Sequence, residues 1–504
     1  MLHLLRTVAL AAGTTVVLAS CGGASGADDA NAPLRIAGPF EIHSLQPAAS
    51  SGLFTRLQVV ETLVASDLEG QLAPGLSPAW SASRDQRSWT FDLPDAVTFH
   101  DGTTLTAAAV ASSLRHAADD AASPLAEAPI RRIEEAGDDL RIRLTKPFPS
   151  LPAVLTHYST AIHAPASYDG AGAVVEVIGT GAYRVTEATL PARVQTARFA
   201  DFRGAAPGIE EVTFQSVPRA ESRALLATSG QADIVFGLEP SGRDRVDATD
   251  GVAMVSTLQP RSLYLKVNGD HPALGDVRVR RALSLALDRE TIAGAVLRER
   301  DLAATQLFPP SLPGWNDPDL APLTEDTTEA KKLLRQAGLV GDKALRITLT
   351  TYPDRPELPA LATAVQAAWE AVGVAVKVDV TNSSEIPARH QDGSLDVALL
   401  ARHLALVSDP LVTAVDTFAR NGSDWGVMNW HDDAVTDALA TLQDGADDEE
   451  RLRLQSVVSS TAHEQLPVIP VAWYRMNAAV TDRLDGFVLD PLEHSWRLSD
   501  ASWR

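Results

Sequence analysis

Short runs in which apolar and polar residues alternate recur along the chain, and they predict β-strands. Side chains two positions apart share one face of a strand, so alternation is typical of a strand buried on one side. Between several of these runs the apolar residues return every three or four positions, which is the period of an amphipathic helix. The predicted strands are 34–37, 88–93, 140–144, 211–215, 262–267, 345–350 and 374–380, and the predicted helices are 106–117, 279–287, 327–337 and 359–372. This succession of strands and helices indicates mixed α/β lobes.

Residues at two helix ends support these assignments. Thr106 stands at the start of one helix, and threonine is a favoured N-cap because its side-chain oxygen accepts a hydrogen bond from a free backbone N–H. Gly338 follows another helix, where glycine tolerates the left-handed conformation of a C-terminal cap. We therefore expect both ends to be capped.

The first 21 residues have the layout of a signal segment. Arg6 lies in a short leading stretch, an apolar run covers 8–18, and small residues precede Cys21. The run is shorter than the roughly 20 residues that a bilayer-spanning helix needs. The order Leu-Ala-Ser-Cys at 18–21 resembles the lipobox of bacterial lipoproteins, where the signal is cut before the cysteine and the new N-terminus is lipidated. We predict a signal peptide over 1–20, lipidation at Cys21 and a flexible linker over 21–33.

Composition narrows the class of protein. A chain of 504 residues exceeds the size at which one hydrophobic core stops growing, so at least two lobes are expected. The 65 acidic and 43 basic residues leave a net charge of -22, which disfavours binding to nucleic acid or to anionic lipid. Because Cys21 is the only cysteine, an internal disulfide, a thiolate metal site and a cysteine nucleophile are all excluded.

Several segments, in a fixed order, carry a family resemblance. They read APGLSPAW at 73–80, SWTFDL at 88–93, VTFHDG at 97–102, IGTGAY at 178–183, SGQADI at 229–234, DVRVRRAL at 276–283 and PVIPV at 467–471. Their ordered set resembles the extracytoplasmic solute-binding proteins of family 5, the oligopeptide-, dipeptide- and nickel-binding class that serves ABC importers. The chain departs from the family pattern at Leu93-Pro94, where a basic residue is usual, and at Ala109, where an acidic one is usual.

The resemblance implies an α/β, two-lobed, periplasmic-binding-protein-like fold with a discontinuous large lobe and an inserted second lobe. We expect the first lobe to comprise 34–265 and 478–504, and the second lobe 266–477. The chain would cross between them near 264–268 and 473–477, where a few residues absorb the dihedral changes of closure. The implied partners are a small-molecule solute and the permease and ATPase subunits of an importer. The protein would act as a monomer, outside the cytoplasm, without a cofactor or a resident metal.

The position of the family's cleft suggests a set of pocket residues. The candidates are His43, His157, Tyr158, Arg402, His403, Asp409, Trp425 and Trp430. Each has a structural alternative: Asp409 can cap the helix that starts at Pro410, His157 and Tyr158 can form a helix end, and the tryptophans can be packing residues.

The resemblance also raises a question about the solute. In peptide-binding members an aspartate shortly before an Asp-Pro pair holds the peptide's ammonium group, and here that position falls at about Leu406. An apolar residue cannot pair a cation, and burying an unpaired charge is costly. We therefore expect the solute to differ from an ordinary peptide with a free N-terminus. Arg402 and His403 would suit a solute presenting carboxylates, such as a metal chelate, an opine-like compound or a modified peptide. With a slip of a few residues, Asp409 would still serve a peptide.

Two other classes of function stay open from the sequence. A lipid-anchored hydrolase would need a catalytic motif, and the chain contains neither a Gly-x-Ser-x-Gly elbow nor a His-Glu-x-x-His helix nor a P-loop. Paired carboxylates are too abundant to exclude a glycosidase by counting. A receptor or interaction protein that reuses the fold without transport is the third class.

Overall fold

The computed structural model describes residues 32–50, 52–353, 355–420 and 422–504, apart from the side chains of 240 and 241. The predicted signal peptide, the lipidation at Cys21 and nearly all of the predicted linker lie outside these ranges. Within them, no helix combines the length and the apolarity that a membrane span requires.

Strands and helices alternate along most of the described chain. The strands are β1 (Leu34–Gly38), β2 (Val64–Ser66), β3 (Leu72–Pro74), β4 (Trp80–Ala82), β5 (Ser88–Phe91), β6 (Ile130–Ala136), β7 (Asp139–Leu144), β8 (Tyr183–Thr189), β9 (Arg193–Arg198), β10 (Glu211–Ser216), β11 (Ile234–Phe236), β12 (Val252–Val267), β13 (Arg346–Thr351), β14 (Ala375–Val380), β15 (Val397–His403), β16 (Val468–Thr481), β17 (Leu484–Asp485) and β18 (Ser502–Trp503). The α-helices are α1 (Leu53–Arg56), α2 (Ala107–Asp119), α3 (Leu151–Val154), α4 (Ala220–Thr228), α5 (Pro240–Asp247), α6 (Val277–Leu285), α7 (Arg289–Val296), α8 (Thr327–Gln336), α9 (Glu357–Ala371), α10 (Glu385–Gln391), α11 (Pro410–Phe418), α12 (Asp433–Asp444) and α13 (Asp448–Gln465).

The predicted elements agree with this structure to within a few residues, except that the strand predicted at 262–267 is the second part of the longer β12. Both predicted caps are confirmed. The Thr106 side chain accepts a hydrogen bond from the Ala109 N–H at the start of α2. Gly338 follows α8 with a φ of 76°, the left-handed conformation that favours glycine.

Two long antiparallel strands connect the two lobes. A mixed sheet runs through the molecule in the order β14-β13-β15-β12-β16-β11-β1-β10-β9-β8. We call the chain before β12 and after β16 the first lobe, and the chain between these strands the second lobe. β12 and β16 lie side by side at the centre of the sheet, so each passes from one lobe into the other. The predicted α/β class and the discontinuous two-lobed organisation are confirmed.

Each lobe has its own hydrophobic core. In the second lobe, helices cover the sheet around the fully buried Trp369 and Tyr264. In the first lobe, one core lies between the main sheet and the C-terminal segment around Phe214. A second core lies between α2 and a separate four-stranded sheet, β4-β5-β7-β6, around Phe99. Separate cores are what allow two lobes to move as units.

The pairing of the two long strands is interrupted at two places, first between Gln259 and Ser262 and again between Leu263 and Tyr264 of β12. Gln259 pairs with Tyr474 and Ser262 pairs with Trp473, so two residues of β12, Pro260 and Arg261, have no counterpart on β16. Such a bulge bends the strand and redirects its side chains. Arg261 therefore projects from the boundary between the lobes, and the site is built around it.

Candidate functional site

The segment 404–409 of the second lobe lies directly against the first lobe. Its Leu406 carbonyl is hydrogen-bonded to His494 Nε2 at 2.8 Å, and its Ser408 hydroxyl to Thr156 Oγ1 at 3.2 Å. Val407 is buried within the first-lobe core that contains α2. The lobes are therefore in contact along this segment, and the residues beside it form the junction between them.

A buried ion pair lies at this junction. The Glu493 carboxylate, on the C-terminal segment of the first lobe, is 2.5 Å from Arg261 Nη2 and 3.8 Å from Arg56 Nη2. The Glu493 side chain is 12% exposed and each arginine side chain 9%. Arg56 also donates a hydrogen bond from Nε to the Glu493 backbone carbonyl at 2.9 Å. One carboxylate thus pairs with two guanidinium groups where water is largely excluded, and one net positive charge remains among the three.

The charges around Glu493 shift its titration. Burial works to raise the pKa of Glu493, but the guanidinium groups of Arg261 and Arg56 outweigh it and hold that pKa well below its usual range. Burial lowers the pKa of the neighbouring His403 to about 3, with Arg261 adding to the effect, so this ring is neutral at physiological pH. The positive charge of the junction therefore comes from arginine.

A third arginine, Arg355, lies just before α9 in the second lobe. Its guanidinium carbon is 5.3 Å from the centre of the Tyr474 ring, which Arg261 approaches at 5.7 Å. Among the described residues, no hydrogen bond or ion pair engages the Arg355 guanidinium. Burial works to lower the pKa of Arg355, but Tyr474 and the Glu357 carboxylate raise it, so the group stays charged. The ring holds the guanidinium in place and leaves its donors free for a ligand.

The structure brings Arg56, Arg261, Arg355, Tyr474 and Glu493 together from both lobes and both crossing strands. We name these five residues the junction cluster. None of them was among the pocket residues expected from the sequence. The sequence could have pointed to Arg261, because this charged residue stands directly before a predicted apolar strand. It could not have pointed to Glu493, which lies in a stretch without any periodic pattern.

Of the pocket residues expected from the sequence, His403 and Asp409 also reach the junction. His403 lies beside the cluster, and its Nε2 is 3.2 Å from the Pro491 carbonyl. Asp409 accepts a hydrogen bond from the Leu411 N–H at 3.0 Å and one from the Ser150 hydroxyl at 2.6 Å. Asp409 therefore caps α11 and links the lobes, with both carboxylate oxygens engaged.

His157 and Tyr158 lie on the first-lobe side of the junction. His157 is buried and caps a short turn by accepting a hydrogen bond from the Ser159 N–H. Burial lowers the pKa of His157 to about 3, so its ring is neutral. Tyr158 lines a cavity of about 300 Å³ in the first lobe, together with Glu61, Arg203 and His494.

The other residues that were expected to line a pocket make contacts with neighbouring side chains of the protein. Arg402 forms an ion pair with Asp416, while its Nε has no hydrogen-bond partner among the described residues. Trp425 packs edge-on against Tyr352, with ring centres 5.8 Å apart, and Trp430 packs against Phe418 at 6.3 Å. His43 lies outside the junction cluster; it is largely exposed, with Glu41 at 3.2 Å. Their proposed pocket roles stay predictions.

Comparison with known protein families shows which family this chain belongs to. The model described as bacterial extracellular solute-binding proteins, family 5 middle, matches residues 71–422, which is more than half of the chain. The chain belongs to this family. The match spans most of the first lobe and the larger part of the second, including Arg355 and the segment 404–409.

Curated relatives and solved structures agree with this assignment. The chain is 25% identical to the dipeptide-binding protein of Escherichia coli (strain K12) over 484 residues, 88% of each chain. It is 24% identical to the nickel-binding periplasmic protein of the same organism over 485 residues, 90% of each chain. NikA from Brucella suis in complex with Fe(III)-EDTA has the same fold, with a TM-score of 0.85 at 23% identity over 94% of this chain and 100% of that one. A dipeptide-binding protein from Pseudoalteromonas sp. SM9913 in complex with Met-Leu gives a TM-score of 0.82 at 20% identity, over the same fractions.

Family 5 proteins are extracellular solute-binding proteins, so the junction between the lobes is the place to seek a solute site. In the described ranges, no three histidine, cysteine, aspartate or glutamate side chains are grouped closely enough to hold a metal ion. The sequence His431-Asp432-Asp433 leads into the start of α12, where Asp432 accepts hydrogen bonds from the Ala434 and Val435 N–H groups.

Proposed function

We propose that the chain is the solute-binding component of an ABC importer and that it captures a carboxylate-bearing solute between its lobes. The solute class is inferred from Arg355, a charged guanidinium that lies against the Tyr474 ring and forms no ion pair or hydrogen bond with a described residue. Arginine binds carboxylates through two parallel hydrogen bonds, which are strong where water is excluded. The solutes named for similar proteins, a dipeptide and an EDTA chelate, carry carboxylates too.

The protein would deliver this solute to a membrane permease driven by ATPase subunits, and it would act as a monomer. Peptide-like, opine-like and metal-chelate solutes all satisfy the carboxylate requirement. A lipid-anchored hydrolase and a receptor without transport are less well supported, because a buried cationic junction between two lobes serves capture and needs no catalytic group.

We propose that the hinge lies at 259–262 on β12 and 473–474 on β16, at the first of the two interruptions in the strand pairing, where two residues of β12 have no counterpart. The crossing expected near 264–268 is a less suitable hinge. Tyr264 and Lys266 are fully buried, and they donate hydrogen bonds to the Trp425 and Asp424 carbonyls at 2.6 and 2.8 Å, so this part of β12 is tied to the second lobe.

A solute-dependent closure is the expected result of this arrangement. Native mass spectrometry of protein purified from its host would identify the solute it carries. Solution scattering should then give a smaller radius of gyration with that solute than without it. Tight binding with an unchanged radius would contradict closure about this hinge.

We also propose that Cys21 anchors the mature protein to the membrane through a lipid, with the signal peptide removed. In the Cys21→Ala variant we expect soluble protein or the uncleaved precursor, because the only thiol that accepts the lipid is lost. Membrane fractionation with mass measurement of the N-terminus would check this. Processed variant protein that still needs detergent for release would contradict the anchor.

A further inference from the structure

The junction cluster carries an unbalanced charge. Glu493 is engaged by Arg261 and Arg56, and Arg355 forms no ion pair with any described residue. Among the described residues, the other acidic group that acts on both Arg355 and Tyr474 is Glu357, the first residue of α9. Counted over these described side chains, three arginines and two glutamates leave one net positive charge.

One oxygen of the Glu357 carboxylate lacks a hydrogen bond. Its Oε1 atom is buried and has no hydrogen-bond partner among the residues that the structure describes. A buried carboxylate oxygen without a donor destabilises the site until a donor arrives. Glu357 lies two residues after Arg355, and its carboxylate adds to burial in raising the pKa of the Tyr474 phenol.

The segment 404–409 offers no alternative carboxylate for a cation. Leu406 is apolar, and both oxygens of Asp409 are occupied by Leu411 and Ser150. Glu493 is likewise committed to its two arginines. A positively charged group on a solute at the junction would therefore meet Glu357.

We propose that Glu357 binds an ammonium group of the solute while Arg355 binds a carboxylate, so that the protein selects compact amphoteric solutes with an excess of carboxylate. This inference rests on the proposed function, because it concerns the same site. A solute with two carboxylates and one primary or secondary ammonium group has one net negative charge, which balances the one positive charge of the junction cluster and Glu357 taken together.

Two small compounds of nearly the same shape test this selection. Iminodiacetate has two carboxylates separated by a secondary ammonium, and diglycolate has an ether oxygen in its place. Calorimetry in metal-free buffer should show that the wild type binds iminodiacetate at least about tenfold more tightly than diglycolate, because only the former can donate to Glu357.

The Glu357→Gln variant should reduce this preference to about one or reverse it, while the Glu370→Gln variant, at an exposed position of the same helix, should leave it unchanged. Thermal melting would check that both variants fold. A wild type without the preference, or a Glu357→Gln variant that keeps it, would overturn the inference.

Failure of the inference can be separated from failure of the proposed function. If neither compound binds, but the solute identified from the host binds in a way that requires Arg355, the amphoteric class is wrong and the carboxylate site stands. If the host solute also binds equally well without Arg355, the carboxylate site itself is wrong.

Discussion

Replacing Arg355 with alanine is expected to weaken binding of the host solute by about 100-fold. Removing one partner of a buried, hydrogen-bonded charge pair costs about 2–5 kcal/mol, and each 1.4 kcal/mol is tenfold in affinity. The Arg355→Lys variant should lose less, because it keeps the charge but not the paired hydrogen bonds. Calorimetry with the solute identified by mass spectrometry would measure both effects.

The matched control is Arg346→Ala, which removes an exposed arginine from the start of β13 in the same lobe. Its affinity should equal that of the wild type, since a distant surface charge contributes little to a buried site. An Arg355→Ala variant that folds and binds the solute with unchanged affinity would show that the carboxylate is held elsewhere. Arg402, whose Nε lacks a partner among the described residues, would then be the next position to change.

The Glu493→Gln variant is expected to lower the free energy of unfolding by about 3–5 kcal/mol at neutral pH. The substitution leaves Arg261 and Arg56 close together in a dry environment without the carboxylate that pairs with them, and breaking a buried ion pair from one side has this cost. Thermal and urea melting of the solute-free protein would measure it. The Glu187→Gln variant, which loses an exposed pair with Arg193, should stay within about 1 kcal/mol of the wild type.

The same pair predicts a pH dependence. The pKa of Glu493 is lower in the folded protein than the value of about 4.3 that a glutamate has in an unfolded chain. Its stabilising contribution is therefore complete above that value and is lost as the pH falls below it toward the folded pKa. The stability difference between the wild type and Glu493→Gln should shrink between about pH 4 and pH 2. A difference independent of pH would show that packing, not charge, holds Glu493.

Local patterns were sufficient to predict most elements of the fold. The capped helix α2 and the strand β10 can be read from neighbouring residues alone, because capping and alternation depend on contacts a few positions apart. Asp409 at the N-cap of α11 was predictable for the same reason. Prediction was weaker for β12, where only the apolar second part was recognised, since its first part is half-exposed and lacks a clear pattern.

The candidate site depended on contacts that no local pattern contains. Arg56, Arg261 and Glu493 are separated by 205 residues or more in sequence, and their grouping follows from the two strands that cross between the lobes. The order of motifs along the chain led to His403 and Asp409, which do lie at the junction. It could not reveal that Asp409 is fully engaged or that Arg355 is held against Tyr474.

The sequence by itself determined the α/β class, the two lobes and the membership of a solute-binding family. These depend on periodicity, on chain length and on the order of the motif segments along the chain. The tertiary structure alone decided which charges meet. A guanidinium can bind a solute strongly when the fold excludes water around it and no carboxylate of the protein forms an ion pair with it. Arg355 forms no ion pair with a described residue, whereas Arg261 and Arg56 both pair with Glu493.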